Sequence, residues 1–319
     1  FSLARDSGSI SLIATNTVFQ GDTRSAGLGY VSRNGGQIYS ASTRIKWPGV
    51  AAVTVGVVHL AKGFATKFLT LNGKPTKKIN SYLLSSEEKD PSLLIGNKGL
   101  SYKGHMVLGM GFVFGENTGG GEIPIKEKDR IITENPCEQQ VIRPFLGGSD
   151  LNSNPDQRAS RFAICFEDMT LEEASAYPLT LSVVNESVRP EREKLGGYSV
   201  AENRKEFWWR YGTYAKALET AAKHKQRMLA LSQVSANHAL AFIDTNTICS
   251  HAIVVFPTES YAMFAILQSR VHEEWARFQG STLEDRLRYT PSDCLDTFPL
   301  PSDRIEIEEE DATASHEIQ

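Results

Sequence analysis

The apolar and polar positions near the start of the chain predict β-strands. Residues 10–14 (ISLIA) are almost continuously apolar, which is typical of a strand covered on both faces in a largely parallel sheet. Two more strand-like runs follow at 35–47 (GGQIYSASTRIKW) and 51–63 (AAVTVGVVHLAKG). Together the three runs predict the closing strands of an α/β sheet, and the βα units that begin such a sheet do not precede them.

After residue 63 the pattern changes to short strand-like pieces broken by glycine and asparagine. Helical patterns return at 170–178, where Thr170 and Glu173 have the spacing of a capping box, and continue beyond residue 188 in two pieces around Gly196–Gly197. This mixture predicts a second domain of α+β type.

The clearest helical pattern covers 259–278 (ESYAMFAILQSRVHEEWARF). Its apolar residues recur at spacings of three and four and so predict one helix with a single apolar face. These residues are Phe264, Leu267, Val271, Trp275 and Phe278.

The composition indicates a charged tail at the end of the chain and a cellular location for the protein. The 319 residues carry a formal net charge of -4, and residues 302–319 contribute seven carboxylates and one arginine to it. Such a run predicts a disordered, solvated terminus. Four widely spaced cysteines form no metal-ligand pattern, and no apolar run reaches the roughly 18 residues of a membrane span. We therefore expect a cytoplasmic protein without a metal site. Because the first residue is Phe1, we also expect the chain to be a fragment or a processed chain.

One glycine-rich run, 115–121 (GENTGGG), could cradle a phosphate if it left a strand and entered a helix. The residues that follow it contain a proline and show no helical period, so we interpret the run as a hairpin loop. No GxSxG or HExxH pattern occurs, and no histidine lies at a recognisable spacing from a nucleophile. We expect no hydrolytic chemistry from this chain.

Residues 189–228 combine cations with aromatic residues, a composition typical of surfaces that bind nucleic acid. A helix with a solvated basic face and its aromatic residues in the core would have the same composition, and both interpretations stay open. The cations are Arg189, Arg192, Lys194, Arg204, Lys205, Arg210, Lys216, Lys223, Lys225 and Arg227, and the aromatic residues are Phe207, Trp208, Trp209 and Tyr211.

A polar cluster lies at 232–238, between apolar strand-like residues. Gln and Asn can bond an adenine edge with two hydrogen bonds, and Ser can contact several bases; a surface hairpin would carry the same residues. The cluster consists of Ser232, Gln233, Ser235, Asn237 and His238. Beyond the predicted long helix, Arg286, Arg288 and Tyr289 stand close enough in sequence to hold one stretch of nucleic-acid backbone.

Taken in order, several blocks resemble the second half of MmeI-like (type IIL) restriction-modification proteins and related adenine-specific DNA methyltransferases. The blocks are TNTVFQGDTR, IYSASTRIKWPGVAAVTVGVVHLAKG, VIRPFLGGSDL, FAICFEDMTLEEASAYP, WWRYG and SRVHEEWARF with LRYTPSDCLDTFPLP. The resemblance runs from about residue 10 to 301. It implies that 1–63 end a Rossmann-like methyltransferase domain, that 64–258 form a target recognition domain, and that 259–301 form a C-terminal helical portion, with 302–319 as the tail.

The resemblance also implies a function. Such enzymes use S-adenosylmethionine to methylate the exocyclic amine of an adenine flipped out of duplex DNA, while the recognition domain reads the flanking bases. We expect base contacts from Ser232, Gln233, Ser235, Asn237 and His238, and backbone contacts from Arg270, Arg286, Arg288 and Tyr289. Asn16, Gln20, Asp22, Thr23 and Arg24 would border the methyltransferase cleft, at the carboxyl end of a strand.

The family's catalytic (N/D)PP(Y/F) loop does not occur in this chain, and neither does its glycine-rich cofactor loop. We therefore expect no methyl transfer and little cofactor binding by this chain alone, with the catalytic motifs on a preceding segment. A non-catalytic DNA-binding or assembly subunit, completed by a separate methyltransferase chain, is the alternative. A degenerate gene remnant is a third.

Overall fold

A computed structural model describes residues 1–50, 53–197, 199–283 and 286–301, and the predicted acidic tail lies outside the described residues. The chain folds into two compact units. Unit 1 contains residues 1–98, 234–238 and 268–301, and unit 2 contains residues 99–233 and 239–267. Both units mix strands and helices, so the protein is a mixed α/β structure with several sheets.

The strands follow one another in this order: β1 (Ser9–Thr15), β2 (Gly36–Lys46), β3 (Thr54–Lys62), β4 (Leu69–Leu71), β5 (Lys74–Thr76), β6 (Tyr102–Lys103), β7 (Val113–Gly115), β8 (Ile123–Pro124), β9 (Ile142–Leu146), β10 (Arg161–Ile164), β11 (Arg227–Ser232), β12 (Val234–Ser235), β13 (Leu240–Asp244), β14 (Ile248–Cys249), β15 (Ile253–Phe256), β16 (Ser281–Leu283) and β17 (Arg286–Arg288).

The α-helices are α1 (Gly21–Arg24), α2 (Tyr30–Arg33), α3 (Ile125–Glu134), α4 (Gly148–Ser153), α5 (Leu171–Ala174), α6 (Pro178–Ser187), α7 (Arg189–Glu193), α8 (Ser199–Glu206), α9 (Lys216–Ala222), α10 (Tyr261–Gln268), α11 (Arg270–Gln279) and α12 (Pro291–Cys294). No helix within the described ranges is long and apolar enough to cross a membrane.

The main sheet of unit 1 has the order β1-β3-β2-β4-β5. Both β1 and β2 run antiparallel to β3, and β4 runs parallel to β2. Helix α1 continues through a π-helical turn, Ser25–Gly29, into α2, and this helix packs Leu28 and Val31 against Ile38 and Val58 of the sheet. The valine-rich pattern of β3 is explained by its central position, where side chains on both faces are covered.

The expected setting of residues 10–14 was wrong in two respects. They lie in an antiparallel edge strand, and their side chains alternate between exposed and half-buried. Ile13 is 62% exposed, whereas Leu12 packs against the core. Successive side chains of a strand point to opposite faces of the sheet, so one face of β1 packs on the core and the other is open.

Unit 2 is built around two sheets, with the orders β14-β9-β10-β7-β8 and β13-β11-β15-β6. The first sheet buries Phe112, Phe114, Ile142 and Ile164 against α3 and α6. The second buries Met228, Ala230 and Val255. The predicted capping box is confirmed, because Thr170 Oγ1 accepts the N–H of Glu173 and the Glu173 carboxylate accepts the N–H of Thr170 at the start of α5.

The helix predicted over 259–278 is two helices. Ser269 has extended backbone (φ -64°, ψ 152°), and its hydroxyl accepts the N–H of His272, so it ends α10 and caps α11. The predicted apolar face is broken as well, since Leu267 is buried and Val271 is 71% exposed. A serine side chain that bonds a free helical N–H competes with helix continuation.

The hairpin interpretation of 115–121 was also wrong. Strand β7 and the short strand β8 are parallel, and α3 begins directly after Pro124, where proline is compatible with a helix start. The loop is nevertheless filled by its own carboxylate, because Glu122 accepts the N–H of Asn117 and pairs with Arg161.

Candidate nucleic-acid interface

The residues expected to border a cleft follow the carboxyl end of β1 directly. Asn16 lies in a 3₁₀ turn, Asn16–Phe19, and its Oδ1 atom is buried without a hydrogen-bond partner among the described residues. Gln20 is half-buried before α1, and Asp22 and Thr23 are exposed on the first helical turn. The structure therefore groups these four residues at one end of the strand.

Arg24, the fifth of these residues, is buried and holds another part of unit 1 in place. Its guanidinium donates to Ser81 Oγ and to Asp90 Oδ1, both at 2.6 Å, and stacks 3.9 Å from the ring of Tyr82. Burial raises the pKa of Tyr82 to about 12, so its hydroxyl stays protonated and donates to Asp90. Arg24 thus anchors the segment around residues 81–90 and does not present its charge to a cleft.

The polar cluster at 232–238 is divided between the two units. Ser232 and Gln233, at the end of β11, belong to unit 2 and are more than nine-tenths buried. Asn152 donates to Ser232 Oγ at 3.2 Å, and the N–H of Gln233 donates to the carbonyl of Ala252 at 2.8 Å. Both residues serve the packing of unit 2.

Ser235 and Asn237 belong to unit 1, where β12 and β17 form part of the three-stranded sheet β12-β17-β16. Ser235 lies opposite Leu287, and its Oγ accepts the N–H of Asn237 at 3.2 Å. Asn237 is exposed, and Ser235 is half-buried. Arg288, also exposed, lies opposite Val234 in the same sheet, and half-buried Arg286 lies at the other end of β17. Directly paired residues share a face of a sheet, so Ser235 lies on the same face as buried Leu287, and Arg286 and Arg288 lie on the opposite face. Asn237 follows β12 in a turn.

Two other predicted contact residues form part of the core of unit 1. Tyr289 is completely buried, and its hydroxyl lies 3.0 Å from Nε2 of His272. The buried ring of His238 stacks on Tyr289 with the ring centroids 6.0 Å apart. The expected backbone contact of Tyr289 was wrong, because a fully buried phenol cannot reach a phosphate.

Arg270 lies at the start of α11, exposed but paired with two carboxylates of its own helix. Its guanidinium nitrogens lie 3.1 Å from Glu273 and 2.6 Å from Glu274. Exposed pairs of this kind are weak, so Arg270 can still exchange these partners for a phosphate.

The aromatic residues of 189–228 lie in the core of unit 2 or pack against it. Trp209 and Tyr211 are buried, and Phe207 and Trp208 pack on the same cluster. Arg192 is 3% exposed and donates to backbone carbonyls, among them that of Arg210 at 2.6 Å. The structure therefore favours the core interpretation of this segment over an aromatic nucleic-acid surface.

Two residues that position the turn at 234–238 were not predicted from the sequence. Arg277 Nη2 donates to the carbonyl of Ala236 at 3.0 Å, and Gln268 Nε2 donates to that of His238 at 2.7 Å. A side chain that bonds a distant carbonyl leaves no periodic pattern, so no signal in the sequence could have identified them. Within the part of the chain that the structure describes, no cluster of His, Cys, Asp and Glu could hold a metal ion.

Comparison with known proteins gives these residues a family context. The chain is 25% identical over 315 residues to DNA methyltransferase A of Bacillus subtilis strain 168, an alignment that covers 92% of this chain and 32% of that protein. Its fold matches that of the type IIL restriction-modification enzyme MmeI, solved in complex with DNA, with a TM-score of 0.71 and 23% identity over 94% of this chain and 41% of that one. The chain thus spans about a third of the length of the curated relative.

The model of the MmeI target recognition domain family matches residues 101–302, which is the larger part of the chain. The matched region contains the core of unit 2, the small sheet β12-β17-β16 with Arg286 and Arg288, and the turn with Asn237. The chain therefore belongs to the MmeI target recognition domain family, and it is related to DNA-modifying enzymes.

Proposed function

We propose that this chain is the DNA-recognition half of a site-specific adenine-N6 methyltransferase of a restriction-modification or phage-defence system. The match of residues 101–302 to a target recognition domain family carries the proposal. The likeness to DNA methyltransferase A and the fold shared with MmeI support it. The chain acts on double-stranded DNA in the cytoplasm.

The sheet β12-β17-β16 and the turn that follows β12 contact DNA in this proposal. Asn237 is exposed in that turn, and an amide group distinguishes an adenine edge through two hydrogen bonds. The contacts from Arg277 and Gln268 hold the neighbouring turn rigid, and a recognition site needs such support. Arg286 and Arg288, on one face of β17, contact the DNA backbone together with Arg270.

Residues 1–63 end the methyltransferase domain, 64–258 form the recognition domain, and 259–301 form a C-terminal portion. In the main sheet of unit 1, β1, β2 and β4 run in one direction with β3 reversed between β1 and β2, a mixed arrangement common in large α/β sheets. Strands β4 and β5 lie beyond residue 63, so this sheet crosses the proposed boundary. Asn16, Gln20, Asp22 and Thr23 border the cleft. S-adenosylmethionine supplies the methyl group in the complete enzyme, and an (N/D)PP(Y/F) loop outside this chain holds the flipped adenine.

Binding to duplex DNA at a series of salt concentrations tests the proposal. The logarithm of the affinity should fall linearly with the logarithm of the salt concentration. Arg288→Ala should weaken binding about equally on all duplex sequences and lower the salt slope by about 1, because it removes a phosphate contact. Arg158→Ala, at an exposed arginine paired with Asp156, is the control. Affinity that does not respond to salt would contradict the proposal.

Methylation assays separate this function from that of a subunit completed by another chain. Alone, the chain should transfer no methyl group to duplex DNA. Activity that appears when a separate methyltransferase polypeptide is added would favour the subunit. Activity restored only by a covalently joined N-terminal segment would favour the fused enzyme.

A further inference from the structure

Unit 1 contains a long segment that has basic residues and no acidic ones. Between residues 23 and 86 the chain has nine lysines and arginines and no aspartate or glutamate. The formal charge of the whole protein is -4, so this segment is strongly basic within an acidic chain. Its cations lie outside the residues that match the target recognition family.

Part of this segment is a β-hairpin, formed by β4 and β5, at the edge of the main sheet of unit 1. Its turn, Asn72–Gly73, has positive φ at both residues (52° and 75°), which is the backbone of a tight type I′ turn. Asn72 Oδ1 accepts the N–H of Thr43 at 2.8 Å, and the N–H of Asn72 donates to the carbonyl of Ala41 at 2.9 Å. The tip of the hairpin is therefore fixed to β2, next to Arg44.

The other end of the hairpin is fixed as well. Gln37 and Thr66 bond each other twice, with the N–H of Thr66 donating to Gln37 Oε1 at 2.8 Å and Gln37 Nε2 donating to the Thr66 carbonyl at 3.3 Å. Leu69 is buried in the core of the unit. Lys67 and Phe68 are thus held between two anchored residues.

Several side chains project from this rigid frame into solvent, and we call them the basic hairpin surface: Arg44, Lys67, Phe68, Lys74 and Lys77. Among the described residues, none of its four cations forms an ion pair. Lys62 and Lys78 of the same segment do pair, with Asp6 and Glu87. Phe68 is 88% exposed.

The chemistry of this surface fits the backbone of a nucleic acid. Unpaired cations on a fixed frame neutralise phosphates, and an exposed aromatic ring offers a face for a base or sugar. Lysine and proline on an edge strand also prevent association between sheet edges, which accounts for Lys74 and Pro75. Protection of an edge does not account for an exposed phenylalanine, which would promote association.

We propose that the basic hairpin surface is a second DNA-contact site, separate in sequence from the recognition domain, which binds the phosphate backbone through Arg44, Lys67, Lys74 and Lys77 with Phe68 against the sugars or bases. The inference rests on the proposed function, because it extends the DNA contacts of the same protein.

The test compares two triple variants of the 319-residue chain that have equal net charge. The first, Lys67→Gln with Lys74→Gln and Lys77→Gln, removes three cations of the surface. The second, Arg130→Gln with Arg158→Gln and Lys205→Gln, removes three cations that are paired with carboxylates. Binding to a 30-base-pair duplex is measured for each across a salt titration.

We expect the surface variant to lose roughly tenfold or more in affinity at low salt, and its salt slope to fall by about 0.9 for each phosphate that it no longer neutralises. The control should keep the slope of the original chain. Phe68→Ser should weaken binding of single-stranded DNA by about fivefold or more, the usual loss for one stacking side chain. Replacing the three lysines by arginine should preserve binding, and this variant, with single Lys→Gln changes, keeps the test valid if the triple Gln variant does not fold.

The outcomes separate the two proposals. If the original chain binds no DNA, the proposed function fails. If it binds DNA and both triple variants retain the same slope, the proposed function stands and the second contact site is wrong. Vesicles with phosphatidylserine form the other arm: vesicle binding that the surface variant loses, with unchanged DNA binding, would identify the partner as a membrane and overturn the inference.

Discussion

Several charged residues that the sequence identifies as candidates for a functional site have structural roles instead. Arg24 and Arg192 are buried and bond groups far away in sequence. Sequence patterns identify the residue type but do not show where the backbone carbonyl or carboxylate partners come from. Exposed and buried cations therefore look alike in a sequence, and Arg288 is the clearest case of a predicted contact residue that the structure leaves exposed.

His272 makes the stability of unit 1 depend on pH. Burial, with the nearby His238, lowers its pKa from 6.5 to about 3. The unfolded chain therefore binds a proton below about pH 6.5 that the folded chain does not bind until about pH 3. Because of this difference, His272 should lower the free energy of unfolding by roughly 1.4 kcal/mol per pH unit across that window as the pH falls.

Urea unfolding of the original chain and of His272→Gln at pH 7 and pH 5 measures this effect. The variant should lose less stability between the two pH values than the original chain. His251→Gln, at an exposed position, should change the pH dependence little. If the free energy of unfolding changes equally with pH in the original chain and in His272→Gln, His272 is not the source of the pH dependence.

Among the secondary-structure elements, apolar periodicity predicted β2 and β3 to within about three residues. It did less well where a single side chain ends a helix or where one face of a strand is left uncovered. A serine within a regular apolar pattern divided the helix expected at 259–278, and every second side chain of β1 is exposed. The cap at Ser269 is a local contact that competes with the helical pattern. The exposure of β1 depends on tertiary contacts, which a one-dimensional pattern does not contain.

We expect the Ser269 cap to contribute as much to the free energy of unfolding as a typical helix N-cap does. Ser269→Ala removes the acceptor for the N–H of His272 and should lower the free energy of unfolding by about 1 kcal/mol. Ser269→Asp keeps an acceptor and should stay within about 0.5 kcal/mol of the original. Ser182→Ala, on the exposed side of α6, is a matched control. Chemical denaturation measures all three, and no loss for Ser269→Ala would indicate that the α10–α11 break is imposed by packing alone.

Unit 1 as a whole is discontinuous in sequence. Asn97 Nδ2 donates to the carbonyls of Leu295 and Phe298 at 2.8 and 2.7 Å. Tyr82 stacks on Phe278 with the ring centroids 5.1 Å apart. Residues from distant parts of the chain therefore contact each other within unit 1, a feature that no local pattern predicts.

Truncation tests this dependence. A chain that ends at residue 267 removes the partners of Tyr82 and Asn97 and should melt well below the full chain or aggregate. A chain that ends at residue 301 keeps these contacts and should melt within a few degrees of the full chain. Asn97→Ala leaves both carbonyls with fewer partners and should cost about 1 to 3 kcal/mol. Equal melting of the 267-residue and full chains would refute the dependence.

Because unit 1 is discontinuous in sequence, its parts leave the ribosome at different times. Ribosomes add about 5 to 20 residues per second, so residues 1–98 emerge roughly 10 to 35 seconds before residues 268–301 can join them. The apolar core of the main sheet comes from residues 1–83, so the sheet can form during this interval. Tyr82 and Asn97 still lack their partners on residues 278–298. We therefore expect the segment around residues 82–97 to be the last part of unit 1 to become ordered and the part most dependent on chaperones in the cell.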